Sequence, residues 1–250
     1  MQHPSLSVSG QQVLITGASR GIGRALASGF AASGATVYAL ARPSDALQAV
    51  VAEIQGQGHQ AVAVPMDVTR DDLAQTLDAL PQMDTVIHAA GMAQHQAVGH
   101  ITQAAYQAVM ALNVEAPLFL TQYLCNRWIE TESVGSVIFI SSQLAHVGAP
   151  QRAVYCASKS AVEGYSRALA IELAAYGIRV NTVCPTFTET EMTQTMLADA
   201  SFRQSVIDRI PLRRLGQPSD YLGACLLLAS SAGALMTGTS LRVDGGWTAQ

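Results

Sequence analysis

The sequence predicts a doubly wound α/β fold, because short apolar runs alternate with helix-like stretches from end to end. Seven such runs occur in the 250-residue chain, and helical spacing of apolar residues follows most of them. Strands that alternate with helices form a mostly parallel sheet with helices on both faces. A glycine-rich turn directly after the first run is typical of this fold. With no linker, repeat or low-complexity segment, we expect one domain over residues 1–250.

The predicted strands are short and apolar, as strands buried inside a parallel sheet are. They cover residues 13–15, 36–40, 61–64, 85–87, 137–140, 179–183 and 238–246. Helical spacing lies between them, for example at 44–57 and at 102–116. The segment 191–210 predicts mobile helices outside the core, as part of a substrate lid around 188–212. The expected architecture is a seven-stranded, Rossmann-like sheet.

Composition and charge exclude several functional classes. The net charge is −4 with acids and bases interspersed, unlike the basic surface of a nucleic-acid-binding protein. No apolar run approaches the roughly 18 residues of a membrane-spanning helix, and the N-terminus lacks the regions of a signal peptide. Four widely spaced cysteines indicate reduced thiols, and six histidines without metal-ligand spacing predict no metal. We therefore expect a cytoplasmic protein without a nucleic-acid or membrane partner.

The turn after the first predicted strand is a candidate phosphate site. It reads TGASRGIG over residues 16–23 and leads into a helical pattern. Its glycines would allow a tight turn and close approach of a phosphate to the backbone, while the helix N-terminus supplies amide donors. A plain surface loop is the alternative, but the strand before and the helix after favour a nucleotide. The cofactor residues assigned from this turn are Gly17, Ser19, Arg20, Gly21, Ile22 and Gly23.

The end of the second predicted strand indicates which dinucleotide is bound. An acidic residue there would bond the ribose 2′-hydroxyl of NAD. This chain has Ala41 followed by Arg42, and Arg20 lies in the nearby turn. A small neutral residue and two guanidinium groups suit a 2′-phosphate, so NADP is preferred and NAD remains possible. The alternative is that Arg42 only extends from the strand into solvent.

The ends of the third and fourth predicted strands provide further cofactor candidates. Ligand-contacting side chains collect at such ends in open α/β sheets. Asp67 and Val68 end the third strand, where Asp67 could bond an adenine amino group or cap a helix that begins near Asp71. Ala90 and Gly91 follow the fourth strand, and their small size would let the backbone pass close to a nucleotide.

Asn113 lies inside the helix predicted at 102–116. Asparagine has a poor helix propensity, which indicates a polar role such as holding a water molecule or a backbone carbonyl group. An asparagine that is merely tolerated on a helix surface is the alternative.

The pair Tyr155 and Lys159 is the strongest catalytic candidate. The chain has 13 arginines and one lysine, so Lys159 stands where a compact ammonium group is wanted. Four residues apart on a helix, the two side chains share a face. An ammonium group beside a phenol favours the phenolate and lowers the tyrosine pKa, as acid/base catalysis near neutral pH requires. A chance pairing on an ordinary helix is the alternative for these two residues alone.

Together these motifs resemble the short-chain dehydrogenase/reductase family over roughly residue 8 to the C-terminus. The segment 16–23 resembles its TGxxxGxG turn, YCASK at 155–159 its YxxxK active site, and VDGG at 243–246 its last strand. Ser142, thirteen residues before Tyr155, and Asn113 stand where the family has its other catalytic members. The resemblance implies a hydride transfer between a dinucleotide and a carbonyl or alcohol.

The resemblance also implies a role for each residue. Tyr155 would exchange a proton with the substrate oxygen, and Ser142 would bond and orient that oxygen. Lys159 would lower the Tyr155 pKa and bond the nicotinamide ribose, and Asn113 would anchor a water molecule. The segment after the sixth strand would hold the nicotinamide, through Pro185, Thr188 and Thr190.

Two departures from the family pattern stand near the cofactor, and the substrate is left open. The family's usual NNAG is His88-Ala89-Ala90-Gly91 here, and its usual Pro-Gly is Pro185-Thr186. The sequence is similar to 3-oxoacyl-carrier-protein reductases and to sugar or sugar-acid dehydrogenases. Arg152 could bind a carboxylate or phosphate, or be a solvated surface residue. A regulatory protein that binds NADP(H) without catalysis is the alternative function. By resemblance we expect a homo-oligomer, either a tetramer or a dimer.

Overall fold

The computed structural model describes residues 3–250, which form seven strands and nine α-helices. The strands are β1 (Gln12–Thr16), β2 (Thr36–Ala41), β3 (Gln60–Pro65), β4 (Thr85–His88), β5 (Gly135–Ile140), β6 (Ile178–Pro185) and β7 (Ser240–Val243). The helices are α1 (Gly21–Ala32), α2 (Asp45–Gly56), α3 (Leu73–Leu77), α4 (Gln103–Met110), α5 (Ala116–Glu130), α6 (Ala153–Leu173), α7 (Glu191–Leu197), α8 (Ala200–Arg209) and α9 (Leu222–Ala229). All seven predicted strands are present.

The strands form one sheet in the order β3-β2-β1-β4-β5-β6-β7, and every pairing is parallel. The predicted fold class is therefore confirmed, with a sheet that is wholly rather than mostly parallel. The strand order changes direction between β1 and β4, and ligands bind at the carboxyl ends of strands beside such a switch point. Thr16 pairs with His88, so the turn after β1 lies next to the loop after β4.

Helices cover both faces of the sheet and create a core on each side. On one face, Leu26 of α1 and Leu228 of α9 pack against the strands. On the other face, Trp128 of α5 and Val162 of α6 do so. The strands are thus buried on both sides, which is why they appear in the sequence as continuous apolar runs rather than as alternating ones.

The longest helical stretch is Gln103–Glu130, formed by α4, a π-helical turn at Ala111–Glu115 and α5. Its 28 residues include an 18-residue window with a mean hydropathy of 1.2, which is sufficient, by length and composition alone, to cross a membrane. Leu120 and Trp128 nevertheless lie in the core, and the Trp128 indole donates to the Met83 carbonyl oxygen at 2.6 Å. The stretch therefore packs as a core helix of a globular domain.

Helices α7 and α8 contribute to a third, smaller apolar cluster near the C-terminus. Leu197 and Val206 are buried there, and Trp247 packs against Phe187 with ring centroids 5.5 Å apart. Residues 191–210 are largely helical, as predicted, and they lie outside the two large cores on the sheet but pack into this small cluster. Their apolar residues are few and separated by polar ones, so the sequence pattern underestimates their packing.

Candidate active site

The four predicted catalytic residues lie at the carboxyl end of the sheet, around the loop after β4. Ser142 follows β5, and Tyr155 and Lys159 lie on α6. Gly91 lies between two of the side chains, since a β-carbon on it would be 3.4 Å from Asn113 Oδ1 and 3.7 Å from Lys159 Nζ. The structure thus brings residues from three separate segments together at the carboxyl edge of the sheet, where ligands of this fold bind.

Lys159 is buried, and its ammonium group has a defined partner. Nζ donates to the Ile140 carbonyl oxygen at 2.8 Å and lies 5.8 Å from the centroid of the Tyr155 ring. Burial lowers the pKa of Lys159 to about 8, although nearby Cys184 and Glu163 oppose this shift. The lysine therefore changes its protonation state within the range in which acid/base catalysis operates.

The pKa of Tyr155 is raised rather than lowered, which corrects the expectation from the Tyr-Lys pair. Burial of the phenol is the largest effect and raises the pKa to about 12, against opposing effects of Ser142 and Arg152. The ammonium group of Lys159 is bonded to Ile140 instead of to the phenol. Desolvation therefore outweighs the nearby charge, and Tyr155 is a neutral phenol with a proton available to donate.

Ser142 is buried directly after β5 and is oriented by the backbone. Its Oγ accepts a hydrogen bond from Leu144 N at 3.1 Å, at the start of the 3-10 turn Gln143–Ala145. Because Oγ is the acceptor in that bond, the hydroxyl hydrogen is left to donate elsewhere. Hydrogen bonding from Ser142 also favours the ionised form of Tyr155. The two hydroxyl groups can therefore converge on one substrate oxygen.

Asn113 is buried in the π-helical turn, and its amide group is bonded within the protein. Its Oδ1 accepts from Met92 N at 2.9 Å, and its Nδ2 donates to Met92 O at 2.9 Å and to Ser158 Oγ at 3.0 Å. Of the two roles left open by the sequence, the polar one is therefore present. A π-turn is a frequent feature of functional sites. Asn113 fixes the loop after β4 beside the catalytic helix.

The turn after β1 has the close backbone contacts of a phosphate cradle. A β-carbon on Gly17 would lie 2.7 Å from Ala90 Cα, and one on Gly23 would lie 2.3 Å from Gly17 O. Gly21 has a positive φ of 53°. Within residues 3–250, the first turn of α1 has neither an acidic side chain nor a capping bond from Arg20. Its amide groups therefore remain available to an anion, which fits a pyrophosphate.

Two exposed arginines stand close to the turn after β1. Arg20 is the N-cap of α1, and Arg42 directly follows β2. Neither belongs to any of the four ion pairs formed among the described residues. Both guanidinium groups are thus free to bind an anion. Of the neighbouring residues assigned to the cofactor, Ser19 is half-buried, and Ile22 packs against the core.

Asp67 stabilises the turn that follows β3. Its Oδ1 accepts from Thr69 N at 3.0 Å and from Thr69 Oγ1 at 2.7 Å, and its backbone N–H donates to Asp71 Oδ2 at 2.6 Å. Burial acts to raise the pKa of Asp67, but the Thr69 bonds and two nearby arginines outweigh it and lower the pKa. The helix that follows is capped by Asp72, while Val68 packs against the core.

The segment after β6 is held by its own hydrogen bonds. The Thr188 hydroxyl donates to Thr186 O at 2.9 Å and also bonds the Tyr221 hydroxyl, so it is already occupied. Thr190 caps α7 and lies against the glycine-rich turn. Pro185 ends β6. With its hydrogen donated to Thr186 O, the Thr188 hydroxyl can contact a cofactor only as an acceptor, alongside the Thr188 backbone groups.

The two departures from the family pattern have different consequences. His88 is buried, with Nε2 2.9 Å from Thr121 Oγ1 and its ring stacked on Phe139 at 4.8 Å. Burial lowers the pKa of His88 to about 3, so its ring is neutral and packs as a core residue. The buried hydroxyl of Thr186, in contrast, has no hydrogen-bond partner among residues 3–250.

Tyr221 is a supporting residue that the sequence did not reveal. It is fully buried, and a β-carbon on Gly216 would lie 2.3 Å from its hydroxyl oxygen. The sequence showed only a turn at this point, because the bonding partner Thr188 lies 33 positions earlier in the chain. Because residue 216 is a glycine, the buried Tyr221 hydroxyl has room to bond Thr188.

Three further side chains come together beside Lys159, namely His146, Glu163 and Cys184. Their possible metal-ligand atoms lie within 4.8 Å of one another. The Cys184 thiol donates to Glu163 Oε1 at 3.2 Å, and His146 Nε2 lies 3.4 Å from Cys184 Sγ. Burial, assisted by Glu163, raises the pKa of Cys184 to about 11, so the thiol keeps the proton of this bond. The expected absence of a metal stays a prediction.

A parallel sheet with a phosphate cradle at its switch point and a Ser-Tyr-Lys cluster beside it defines a dinucleotide-dependent oxidoreductase. A family model described as enoyl-(acyl carrier protein) reductase matches residues 17–248. The chain belongs to the short-chain dehydrogenase/reductase family, and it is an NAD(P)-dependent enzyme that acts on CH–OH groups and the corresponding carbonyls. The resemblance inferred from the motifs is therefore confirmed.

Relatives with several different substrates match nearly the whole chain. The chain is 32% identical over 240 residues to an L-xylulose reductase of Caenorhabditis elegans, covering 95% of this chain and 96% of the relative. It is 36% identical over 247 residues to a 3-oxoacyl-[acyl-carrier-protein] reductase of Synechocystis, with coverage of 96% and 98%. A gluconate 5-dehydrogenase of Burkholderia cenocepacia, solved with NADP and tartrate, superimposes with a TM-score of 0.94 at 28% identity, covering 98% of each chain.

Proposed function

We propose that Ser142, Tyr155, Lys159 and Asn113 carry the reaction of this oxidoreductase and that NADP(H) is its cofactor. The observation that carries the proposal is their position in one crevice with the phosphate cradle at the switch point of the sheet. The bound dinucleotide supplies or accepts the hydride. The chain itself binds and orients the reactants and moves a proton.

Tyr155 is the proton donor in the reductive direction. As the substrate carbon gains a hydride, the carbonyl oxygen becomes basic and takes the proton from the Tyr155 hydroxyl. The raised pKa of this phenol keeps the proton in place until then. Ser142 donates its free hydroxyl hydrogen to the same oxygen and stabilises the charge that develops. In the oxidative direction the same groups act in reverse.

Lys159 and Asn113 support this proton transfer. The Lys159 ammonium group lies close enough to the Tyr155 ring to stabilise the phenolate left after donation, and it would also bond the nicotinamide ribose. Asn113 is a positioning residue, because its amide group anchors the backbone of Met92 in the loop beside Lys159. We expect the water molecule implied by the family to lie near this turn.

The cofactor residues divide into three groups along the crevice. The glycine-rich turn and the first amide groups of α1 would hold the pyrophosphate. Arg20 and Arg42, both exposed and without an acidic partner in residues 3–250, would bind a 2′-phosphate and favour NADP over NAD. The remaining candidates line the adenine and nicotinamide ends: Asp67, Val68, Ala90, Gly91, Pro185, Thr188 and Thr190.

The substrate is a small hydroxylated carbonyl compound or the corresponding secondary alcohol. Polar residues surround the catalytic pair, among them Gln143, His95 and Arg152, and two of the three relatives described above act on a sugar or sugar acid. An acyl thioester, as in the third relative, is the competing class. The lid over this substrate is the segment 188–212.

We further expect a cytoplasmic homo-oligomer, a tetramer or a dimer. Phe119 on α5 and Ile171 on α6 are 52% and 82% exposed, and they lie on the long helices through which the family resemblance leads us to expect association. The four cysteines are all free thiols, as expected in a reducing compartment. Edge strand β7 offers a second surface for association.

A cofactor-coupled screen tests the proposed function. Purified enzyme is mixed with NADPH or NADH and a panel of ketoses, keto-acids of sugars and a 3-oxoacyl thioester, and absorbance of the reduced cofactor is followed. We expect turnover with a hydroxylated substrate, faster with NADPH, and a loss of at least about 1,000-fold in Tyr155→Phe, which lacks the donated proton. Tight NADPH binding with no turnover on any substrate would instead identify a regulatory dinucleotide-binding protein.

A further inference from the structure

Arg152 is a buried cation without an acidic partner. Only 8% of the residue is exposed, at the N-terminal end of α6. Its guanidinium group donates to Met196 Sδ at 3.0 Å and to Gln151 O at 3.5 Å, and both are weak bonds. None of the ion pairs within 4.0 Å among residues 3–250 includes it. Of the two possibilities raised from the sequence, a solvated surface arginine is thereby excluded.

Burying a charge without a counter-charge destabilises the folded protein. A buried cation without an acidic partner is therefore a candidate to bind an anionic ligand. A guanidinium group has five N–H donors in a planar fork. The sulfur and the single backbone oxygen around Arg152 leave most of these donors unsatisfied. The missing partner is therefore an anion with at least two acceptor atoms.

The position of Arg152 places this anion at the substrate rather than at the cofactor phosphates. Arg152 lies one helical turn before Tyr155, and its charge favours ionisation of that phenol. It also lowers the pKa of His95, in the loop after β4. Met196, which contacts its guanidinium group, belongs to lid helix α7. The cation thus stands between the catalytic tyrosine and the lid.

Neighbouring polar groups without partners fit the hydroxyl groups of the same ligand. Both amide atoms of Gln143, which is 1% exposed and follows Ser142, have no hydrogen-bond partner in residues 3–250. The same is true of His95 Nδ1. Burial and Arg152 lower the pKa of His95 to about 4, so this ring is neutral at neutral pH. One cation among neutral groups matches a singly charged carboxylate better than a phosphate dianion.

We propose that Arg152 binds a carboxylate of the substrate as a bidentate partner, which makes this enzyme specific for sugar acids over neutral sugars. The proposal rests on the proposed function and names the substrate class of the same site. Gln143 and His95 would bond the hydroxyl groups of that acid. The lid would close over the charged end of the substrate, with Met196 next to the guanidinium group.

A matched pair of ligands tests the role of Arg152 without requiring the natural substrate. Tartrate carries two carboxylates, and threitol is the same four-carbon chain with alcohols in their place. Thermal unfolding is followed with NADP⁺ present while either compound is titrated. We expect tartrate to raise the Tm of the wild-type enzyme, Arg152→Gln to weaken its binding by about 10- to 100-fold, and threitol to have no Arg152-dependent effect.

Two variants control for folding and for charge. Arg167→Gln removes an exposed arginine from the same helix and should bind tartrate like wild type. Arg152→Lys keeps the charge without the planar fork and should show intermediate affinity. If Arg152→Gln does not fold, Arg152→Lys takes its place in the tartrate titration. Because Arg152 lacks a partner, the ligand-free Arg152→Gln variant should be at least as stable as wild type.

Several outcomes would overturn the role of Arg152 independently of the proposed function. They are equal tartrate binding by wild type and Arg152→Gln, an Arg152-dependent effect of threitol, or a larger response to inorganic phosphate than to tartrate. If neutral ketoses are reduced with NADPH but tartrate does not bind, the enzyme is an oxidoreductase as proposed. In that case Arg152 does not form a carboxylate subsite. If no substrate turns over, the proposed function fails while the titration still decides whether Arg152 binds carboxylates.

Discussion

Lys159 shows why one side chain cannot be replaced by its closest chemical relative. It is the single lysine beside 13 arginines, and it is buried under the loop that contains Gly91. Its ammonium group is small enough to bond Ile140 O while remaining near the Tyr155 ring. A guanidinium group is larger and planar, and it would have to displace the glycine loop or the strand end.

Lys159→Arg should therefore lose activity although the charge is kept. We expect kcat to fall by about 100-fold or more. The planar guanidinium group cannot take the position of Nζ, and it cannot bond the nicotinamide ribose and the Ile140 carbonyl oxygen at the same time. Steady-state kinetics with NADPH and the best substrate of the screen measure this. The matched control is the reverse exchange at an exposed site on the same helix, Arg167→Lys, which should turn over normally. Near-normal turnover of Lys159→Arg would mean that the charge alone matters.

The sequence predicted the site residues that belong to a recognisable motif. It did not predict the properties that depend on how strongly the folded protein desolvates a group. The spacing of Ser142, Tyr155 and Lys159 follows from helix geometry and from the family pattern, so these residues could be named from the sequence. The sign of the Tyr155 pKa shift could not, because it depends on how much water the folded protein removes. The same limit applies to Arg152, whose burial is set by a lid residue 44 positions away.

At the scale of elements, the proposed lid is attached to the domain by its own small core. Trp247 lies against Phe187, and the guanidinium group of Arg209 in α8 stacks on the Trp247 ring at 4.5 Å. This cluster is separate from the two large clusters on the sheet. We therefore expect the proposed lid to loosen without unfolding of the sheet, since local openings follow local packing.

Trp247→Ala should loosen the lid selectively. Loss of a buried tryptophan costs about 3–5 kcal/mol where its neighbours cannot collapse. We expect proteolytic cleavage within 188–212 to accelerate at least about 10-fold and KM to rise, while the main unfolding transition changes little. Leu235→Ala, at a 99% exposed position, is the control. If Trp247→Ala instead lowers the Tm of the whole domain as strongly as Trp128→Ala does, the lid is not an independent unit.

The strands were predictable because each is an uninterrupted apolar run, but two helical features were not. The π-helical turn at Asn113 adds a residue to one helical turn, and no sequence periodicity signals it. The packing of α7 and α8 depends on Trp247, which is distant in sequence from the buried faces it covers. Features that rest on such long-range partners become visible only in the folded molecule.

For the whole molecule, the buried neutral His88 predicts a loss of stability in acid. Its pKa is about 3 when folded against 6.5 in the unfolded chain, so only the unfolded state binds a proton between these values. The contribution of His88 is complete above pH 6.5 and is lost as the pH falls toward 3, up to about 3–5 kcal/mol. Urea unfolding at a series of pH values measures this dependence.

Two variants isolate the contribution of His88. His88→Asn carries no titrating group, so its free energy of unfolding should fall less steeply between pH 6.5 and pH 4 than that of wild type. His100→Gln, at an exposed histidine, should keep the wild-type slope. Identical slopes for wild type and His88→Asn would show that other groups cause the acid sensitivity.

The small cluster around Trp247 has a practical consequence for anyone who produces this protein. Gln250 Nε2 bonds the Arg209 carbonyl oxygen at 2.9 Å, so the end of the sequence lies against lid helix α8. We therefore expect a purification tag or a fusion partner attached after Gln250, beside that helix, to alter measured affinities. An affinity handle placed before His3, on the exposed segment that leads to β1, keeps such assays free of this artefact.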